Sequence, residues 1–414
     1  MLKVLQISSS DISGGASIAA YRLHQGLQRV GIDSSILVGN KQSGDRHVNQ
    51  ISKRRYVNKA LSRIGASFGL HYLTIPDTWQ IKKHPFYQTA DILNLHNLHG
   101  EYFNYLALSQ LTANIPAVYT LHDMWSFTGH CAYSFTCEKW QSGCGSCPNL
   151  STYPAVKIDN TQLEWRLKKW VYDKSNLTIV TPSQWLKQQA EKSILIANKT
   201  TQIYWIPNGI PTTIFQPLDQ QLCRSVLGLP QNKYILAFAA QNLNDPRKGS
   251  DLLQKALQLI PTSLKQEIQL LILGNQSAGF LADIDIPAIS LGYVEGDRLK
   301  TIFYNAADLL LCPTRADNLP LVLQEAMACG TPLVSFDIGG VPDLVRPGVT
   351  GYLAQPEDPQ DLCNGIVQLL EDKTLRGKMA QNCRRIAETE YPIELQAQRY
   401  IDLYQQILNQ KTTA

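Results

Sequence analysis

Two adjacent cations, Arg247 and Lys248, sit in the segment NDPRKGSDLL (residues 244–253), directly before a glycine and an amphipathic stretch, Asp251–Ile260. A guanidinium binds phosphate oxygens two at a time, and an ammonium acts as a point charge on a flexible stem. Fixed cations at a leaving pyrophosphate oppose the negative charge that develops there and lower the barrier electrostatically. A second segment, ADLLLCPTRADNLPLVLQEAMACGTPLVSFDIGGVPDLV (residues 307–345), reads as an apolar strand, a polar loop from Pro313 and a helix beginning near Leu319–Pro320. Proline suits a first helical turn, where its missing N–H costs little. The amides of Asn318, Leu319 and Leu321 would then point at a phosphate or sugar oxygen. Asp317 and Glu325 stand eight residues apart, one in the loop and one two turns into the helix. Each carboxylate can accept from hydroxyls, one of a sugar and one of a ribose. Gly330 would end the helix, and Gly339–Gly340 would form a second tight turn. Together these segments predict a cleft that binds a nucleotide-activated substrate.

The amino-terminal half offers weaker candidates. SSSDISGGASIAAYRLHQGL follows the first strand, and Gly14 and Gly15 allow a sharp turn into a helix starting near Ala16. His122 and Asp123 follow another strand in LHDMWSF (residues 121–127), either as ligand-facing groups or as a structural pair. HNLHG (residues 96–100) also ends a strand, and Asn97 there is either a cleft residue or a turn former.

Of nine cysteines, Cys223, Cys312, Cys329, Cys363 and Cys383 are scattered and read as small buried apolar residues. Cys131, Cys137, Cys144 and Cys147 fall within CAYSFTCEKWQSGCGSCP. A CxxC preceded by two further cysteines has structural-zinc character, with redox-labile disulfides or plain thiols as the other readings. Four protein ligands leave no open position, so such a metal would be structural.

These residues need elements that present them. Strand patterns occur at Lys3–Ile7, Ser35–Val38, Ile92–Leu95, Ala117–Leu121, Thr178–Thr181 and Ile203–Ile206, then at Tyr234–Ala240, Ile268–Leu273, Ile289–Gly292, Leu309–Cys312 and Pro332–Phe336. Helical patterns such as Asp361–Glu371 alternate with them. This alternation predicts α/β architecture with parallel sheets covered on both faces, and it runs twice. Ligands of such sheets sit at the carboxyl ends of strands, so two doubly wound domains are expected to face one another across a central cleft. The proline-rich stretch Pro207–Pro217 places the break, giving domains at 1–207 and 208–392, a cysteine-rich insertion at about 128–150, and a helical tail at 393–414 expected to pack back on the first domain.

With 414 residues, 44% hydrophobic and 17% charged, the chain has the composition of a soluble globular protein. A net charge of +4 gives no argument for nucleic acid. MLKVLQISSS reads as a strand rather than a signal peptide, and no apolar run reaches about 18 residues, so the cytoplasm is expected. KRRYVNKALSRIGASFGL (residues 53–70) is basic and amphipathic, with Val57, Ala60, Leu61, Ile64 and Phe68 on one helical face. Such a helix suits either peripheral contact with the inner, anionic face of a membrane or packing as a surface helix on its own domain.

The RKG element, the carboxylates at 317 and 325 with NLPLVLQEAMACGTPLV, and GGVPDLV resemble glycosyltransferase family 4. The resemblance spans nearly the whole chain. It implies the GT-B fold, two Rossmann-like domains with a nucleotide-sugar donor held mainly by the second, and transfer to a glycan or lipid-linked acceptor with retention of anomeric configuration. It also implies Arg247 and Lys248 on the diphosphate, Asp317 near the donor sugar and Glu325 on the ribose. Asn318, Leu319 and the Gly14–Gly15 loop would approach the donor as well, and His122 would lie close to its sugar. It implies no cofactor for catalysis. The family signature is usually written with glutamate at both carboxylate positions, so Asp317 withdraws its carboxylate by one methylene. A donor-binding partner subunit and a sugar-nucleotide epimerase or hydrolase are the other functions open to this fold.

Overall fold

A computed structural model of the chain describes residues 1–51, 61, 65, 69–196, 202–282 and 284–413. It divides into two compact units, one comprising Met1–Gly209 with Ile393–Ala414 and the other Ile210–Pro392. The amphipathic helix expected over 53–70 falls largely outside the described residues. Among those described, no helix is long and apolar enough to cross a membrane.

The first unit holds a seven-stranded parallel sheet built from β1 (Lys3–Ser10), β2 (Asp33–Asn40), β3 (Val48–Gln50), β4 (Ile92–His96), β5 (Ala117–Thr120), β6 (Leu177–Thr181) and β7 (Ile203–Trp205), in the order β3-β2-β1-β4-β5-β6-β7. The second holds six parallel strands, β8 (Tyr234–Asn242), β9 (Ile268–Asn275), β10 (Ala288–Ser290), β11 (Leu309–Cys312), β12 (Leu333–Phe336) and β13 (Gly351–Ala354), in the order β10-β9-β8-β11-β12-β13. Central strands such as β4, β5, β11 and β12 are buried along their whole length, as parallel strands covered on both faces must be. Two edge strands, β3 and β13, escape the sequence pattern. Val-Asn-Gln carries a single apolar residue, and Gly351–Ala354 begins on a glycine whose Cβ would lie 2.0 Å from the Leu333 carbonyl.

Among the described residues, the α-helices of eight residues or more are, in chain order, α1 (Gly15–Arg29), α2 (Thr161–Tyr172), α3 (Gln184–Glu191), α4 (Ser250–Leu259), α5 (Asp297–Ala306), α6 (Leu321–Ala328), α7 (Pro359–Glu371), α8 (Lys373–Glu390) and α9 (Ile393–Thr413). Each domain core lies between sheet and helices. In the second, Leu236, Leu311 and Val334 meet Leu253, Leu257, Ile366 and Leu370 from α4 and α7. The chain returns to the first unit through α9. Ala397, Tyr400 and Tyr404 bury themselves against Val4, Leu23, Ile92 and Val118. Their hydroxyls are satisfied there: Asn94 Nδ2 donates to Tyr404 at 2.8 Å, and Tyr400 bonds Thr120 Oγ1 at 2.9 Å. Gly26 of α1 allows the contact, since a Cβ would stand 2.7 Å from the Ile393 carbonyl.

Strand order fixes where ligands can enter. The first sheet reverses direction of winding between β1 and β4, and the second between β8 and β11. Loops after strands that flank such a switch point diverge and leave a crevice at the carboxyl edge.

Candidate functional site

In the second unit the loops after β8 and β11 flank that crevice, and they carry the RK pair and Asp317. Asp245 caps a 3-10 turn, Pro246–Lys248, by accepting from the Arg247 amide. Gly249 follows at φ 70°, the left-handed conformation that favours glycine. A Cβ there would stand 1.8 Å from the Pro313 carbonyl, so glycine lets the two loops touch. Thr314 Oγ1 and the Arg315 amide both donate to the Arg247 carbonyl, at 2.9 and 2.8 Å. Arg315 clamps the outside, donating to both oxygens of Asp251 at 2.7 Å and to Glu357 at 2.8 Å.

Inside this frame Lys248 Nζ lies 2.8 Å from Asp317 Oδ2 and Arg247 Nη1 lies 3.1 Å from the same oxygen. Arg247 also donates to the Ala316 carbonyl at 3.0 Å and approaches Asp245 at 3.3 Å. Burial raises the pKa of the Asp317 carboxyl, but Lys248 and Arg247 outweigh it and hold the group below the ordinary aspartate range. Asp317 is therefore an anion that keeps two neighbouring cations in place. Its backbone is fixed too: Gly340 N–H donates to the Asp317 carbonyl at 3.1 Å, and Gly339, at φ 55°, lets that carbonyl approach where a Cβ would stand 2.2 Å away.

Helix α6 begins at Leu321, with Pro320 as its cap rather than its first residue, and no side chain caps it. The Asn318 amide donates to Asp317 Oδ1 at 2.9 Å, so this N–H orients the carboxylate before any ligand arrives. Asn318 and Leu319 are both buried. Glu325, also buried, accepts from Tyr304 Oη of α5 at 2.8 Å. Tyr304 carried no signal in the sequence, since an aromatic inside an apolar helical pattern reads as core. Gly330 ends α6 at φ 79°, and the Thr331 amide reaches back to the Ala326 carbonyl, a helix-stop geometry that favours glycine.

In the first unit the loops after β1, β4 and β5 gather a second polar group. Gly14 takes φ 84° and ψ 149°, and α1 starts at Gly15 with no side-chain cap and no acid in its first turn. Nothing lies within 4 Å of where a Cβ would be at either glycine. His122 and Asp123 each meet a histidine from the end of β4 or the loop after it. His122 Nε2 meets His96 Nδ1 at 3.0 Å, while Asp123 Oδ2 meets His99 Nε2 at 2.8 Å and Asn97 Nδ2 at 3.2 Å. Asn97 is also the turn former, at φ 24°. The Gln6 amide is best satisfied with its nitrogen toward His96 Nε2 (3.0 Å) and the Ala20 carbonyl, and its oxygen toward the His24 amide. With that orientation His96 accepts at Nε2 and donates from Nδ1, which leaves His122 protonated on Nδ1. Burial holds the His122 pKa down to about 4 and that of His96 well below its ordinary value. Both rings are neutral at pH 7, and His122 is a directional hydrogen-bond donor. His96, His99 and Gln6 were missed because their partners are brought together by the sheet and not by sequence spacing.

The four clustered cysteines line a single cavity together with His130 and Trp140. All carry free thiols. Burial pushes Cys131 up to about 12 and Cys144 up to about 11. Among the described residues, the one trio of metal-binding side chains with ligand atoms all within 4.8 Å is His24, Asp45 and His47. Hydrogen bonds from Tyr21 and from the His47 amide to Asp45, and from Gln28 to His47, account for much of that cluster.

The comparisons with known proteins follow the same division. A family model described as "Glycosyltransferase Family 4" matches residues 13–214, and one described as "Glycosyl transferases group 1" matches residues 219–386. The putative colanic acid biosynthesis glycosyl transferase WcaC of Escherichia coli (strain K12) is 26% identical over 358 residues, covering 81% of this chain and 83% of the relative. D-inositol 3-phosphate glycosyltransferase of Salinispora arenicola is 34% identical over 211 residues, 45% of this chain and 46% of the relative, so the match spans about half of that protein. Among solved structures, sucrose-phosphate synthase from Thermosynechococcus elongatus superposes with TM-score 0.70 at 19% identity, over 98% of this chain and 99% of that one. Anabaena HepE in complex with UDP and glucose gives 0.69 at 17%, over 98% and 100%. At these identities the structures establish the GT-B fold of paired Rossmann-like domains. With both halves matched by glycosyltransferase models that together span most of the sequence, the chain belongs to glycosyltransferase family 4.

Proposed function

We propose that this glycosyltransferase moves a hexose-type sugar from a nucleotide-sugar donor to a glycan or lipid-linked acceptor, with retention of anomeric configuration, in polysaccharide biosynthesis. The observation that carries the reading is the cation pair Arg247–Lys248 gathered on one oxygen of Asp317 at the β8/β11 switch point. A diphosphate needs two preorganised positive groups and nearby helix amides, and this crevice supplies both. Arg247 and Lys248 bind the diphosphate, with the Leu319 amide just ahead of α6 nearby, while the Asn318 amide is already given to Asp317. Glu325, oriented by Tyr304, accepts from the ribose hydroxyls. Asp317 holds the cations and accepts from a donor-sugar hydroxyl. HepE, solved with UDP-glucose, and the E. coli relative named for colanic acid biosynthesis support the donor class and the polysaccharide setting.

Gly14 and Gly15 let the donor or acceptor approach the backbone at the uncapped start of α1. His122, held neutral by burial and directed by His96, hydrogen-bonds a sugar hydroxyl. In the reaction the acceptor oxygen bonds the anomeric carbon on the face from which the nucleoside diphosphate leaves. The bond from that carbon to the β-phosphate oxygen breaks, and the acceptor proton passes to the leaving β-phosphate. Arg247 and Lys248 stabilise the charge on the departing diphosphate. No enzymic nucleophile is required.

Nucleotide release measured with and without acceptor sugars tests the reading. Release that depends on an acceptor, with a glycosylated product, supports transfer. Equal release without acceptor would assign the chain to hydrolysis, and donor binding without any turnover would assign it to a partner subunit.

A further inference from the structure

We propose that Cys131, Cys137, Cys144 and Cys147 form a structural zinc site that braces the loop carrying His122 and Asp123. The cavity they line has room for a single water-sized guest, and no carboxylate lines it. Four thiols and one imidazole around one small cavity is a donor set suited to zinc. Local geometry suits metal ligation at two of the four. The Gly129 amide donates to Cys144 Sγ at 3.2 Å. In the CxxC turn Gly145 and Ser146 take φ 130° and 46°, which curls the chain between Cys144 and Cys147.

His130 Nδ1 lies 2.9 Å from the Pro154 carbonyl, which seats the ring with Nε2 3.4 Å from Cys147 Sγ. That nitrogen is the one rival ligand in the cavity lining, and the four-thiolate set treats it as a neighbour of Cys147 instead. The sulfurs ring the cavity without converging, because no three lie within 4.8 Å of one another. Zinc–sulfur bonds of about 2.3 Å place sulfurs about 3.8 Å apart in a tetrahedron, so binding draws the loop inward. Each thiol releases a proton to solvent as it ligates. The resulting centre, one dication with four thiolates, carries two net negative charges. Lys168 of α2, fully buried, supplies a compensating cation nearby, donating to the Trp125 and Thr128 carbonyls at 2.7 and 3.0 Å.

The lobe needs a staple. Apart from one 3-10 turn, Lys139–Gln141, residues 129–148 have no regular secondary structure, and Trp140 is their main buried anchor. Loops of this length without their own elements are uncommon in compact domains. The brace reaches the polar group of the first unit in short steps. Thr128 Oγ1 donates to the Cys131 carbonyl at 2.6 Å, Lys168 ties Thr128 to Trp125, and the Trp125 amide donates to Asp123 Oδ1 at 2.9 Å.

Elemental analysis of the full chain, purified without a histidine tag under reducing conditions, tests the site. One zinc per chain is expected, and cobalt substitution should give the intense sulfur-to-metal charge-transfer bands of a tetrahedral thiolate centre. Cys144→Ser should lose most of the metal, while His130→Ala should keep it. Should the cysteine variant fail to fold, the wild-type metal content and spectrum still decide the question. Metal-free protein overturns the proposal, whether its thiols are paired as disulfides by mass or all react freely with a thiol reagent. Loss of metal in His130→Ala alone overturns the four-thiolate set.

Discussion

Lys248 Nζ stands 2.8 Å from Asp317 Oδ2, joining the loop after β8 to the loop after β11 across the switch point of the second sheet. Arg247 reaches the same oxygen, so one carboxylate is counter-ion to both cations. Side by side and unpaired, the cations would repel one another. Held by Asp317, they are positioned before any phosphate binds, and the cost of ordering them is met in folding and not at each turnover.

Removing either cation should therefore cost transition-state stabilisation more than it costs folding. Arg247→Ala and Lys248→Ala are each expected to lower kcat/KM for the donor by about 10²–10³-fold, as for loss of one preorganised charge donor, about 3–4 kcal/mol. Steady-state kinetics at varied donor concentration check this, and near-normal turnover in either variant would remove these residues from the site.

Asp317→Asn separates the two roles of the carboxylate. The amide keeps the shape but leaves Arg247 and Lys248 without their shared anion, a partly buried pair whose disruption costs on the order of 1–3 kcal/mol. A lower unfolding midpoint together with a lower kcat is expected. An unchanged midpoint would show that the pair of contacts contributes nothing to the apo fold.

Glycine positions give a contrast that needs no activity assay. Gly249→Ala puts a Cβ 1.8 Å from the Pro313 carbonyl at φ 70°, and should destabilise the second domain by about 2–4 kcal/mol. Gly15→Ala meets nothing within 4 Å and sits at the start of helix α1, so it should leave the denaturant midpoint almost unchanged. Denaturant melts of the two variants distinguish them.

How much of this was legible beforehand depends on whether the signal was local. Arg247–Lys248–Gly249 form one turn, and Asp317 through Glu325 run from one loop into α6, so their spacing alone was enough to make them candidates for one site. The strands of both sheet interiors were legible because burial on both faces makes them continuous apolar runs. The edge strands β3 and β13 were not, being too short or too polar to register. Tyr304 on Glu325, His96 on His122 and His99 on Asp123 were also hidden, since those pairs exist only once separate strands and helices are assembled. The start of α6 is not fixed by its proline, which suits both the cap and the first turn, and Pro320 takes the cap.

The buried histidines predict a pH dependence. Burial holds His24 at about 4, Asp45 opposing, and His96 well below its ordinary value. Between the folded value and about 6.5 the unfolded chain binds more protons than the folded one, so stability falls as pH drops through this window. For fully buried His24 a shift from 6.5 to about 4 corresponds to about 3 kcal/mol. Asp317 adds to the loss only at lower pH, because its folded value lies below that of an ordinary aspartate and its contribution persists until pH falls through it. Urea melts from pH 7.5 down to pH 4.5 should show steadily decreasing stability. A flat profile would mean that these rings are solvated or protonated in the folded chain.

Donor binding tests the central claim most directly. In a thermal-shift panel of UDP-, GDP-, ADP- and dTDP-sugars with the full chain, ligand at one hundred times its Kd stabilises the folded state by about 2.7 kcal/mol. One nucleotide class should raise the midpoint by several degrees in the wild type and by far less in Arg247→Ala. If no nucleotide sugar shifts the wild type, or if the shift survives intact in Arg247→Ala, the crevice between the β8 and β11 loops is not where a donor diphosphate binds.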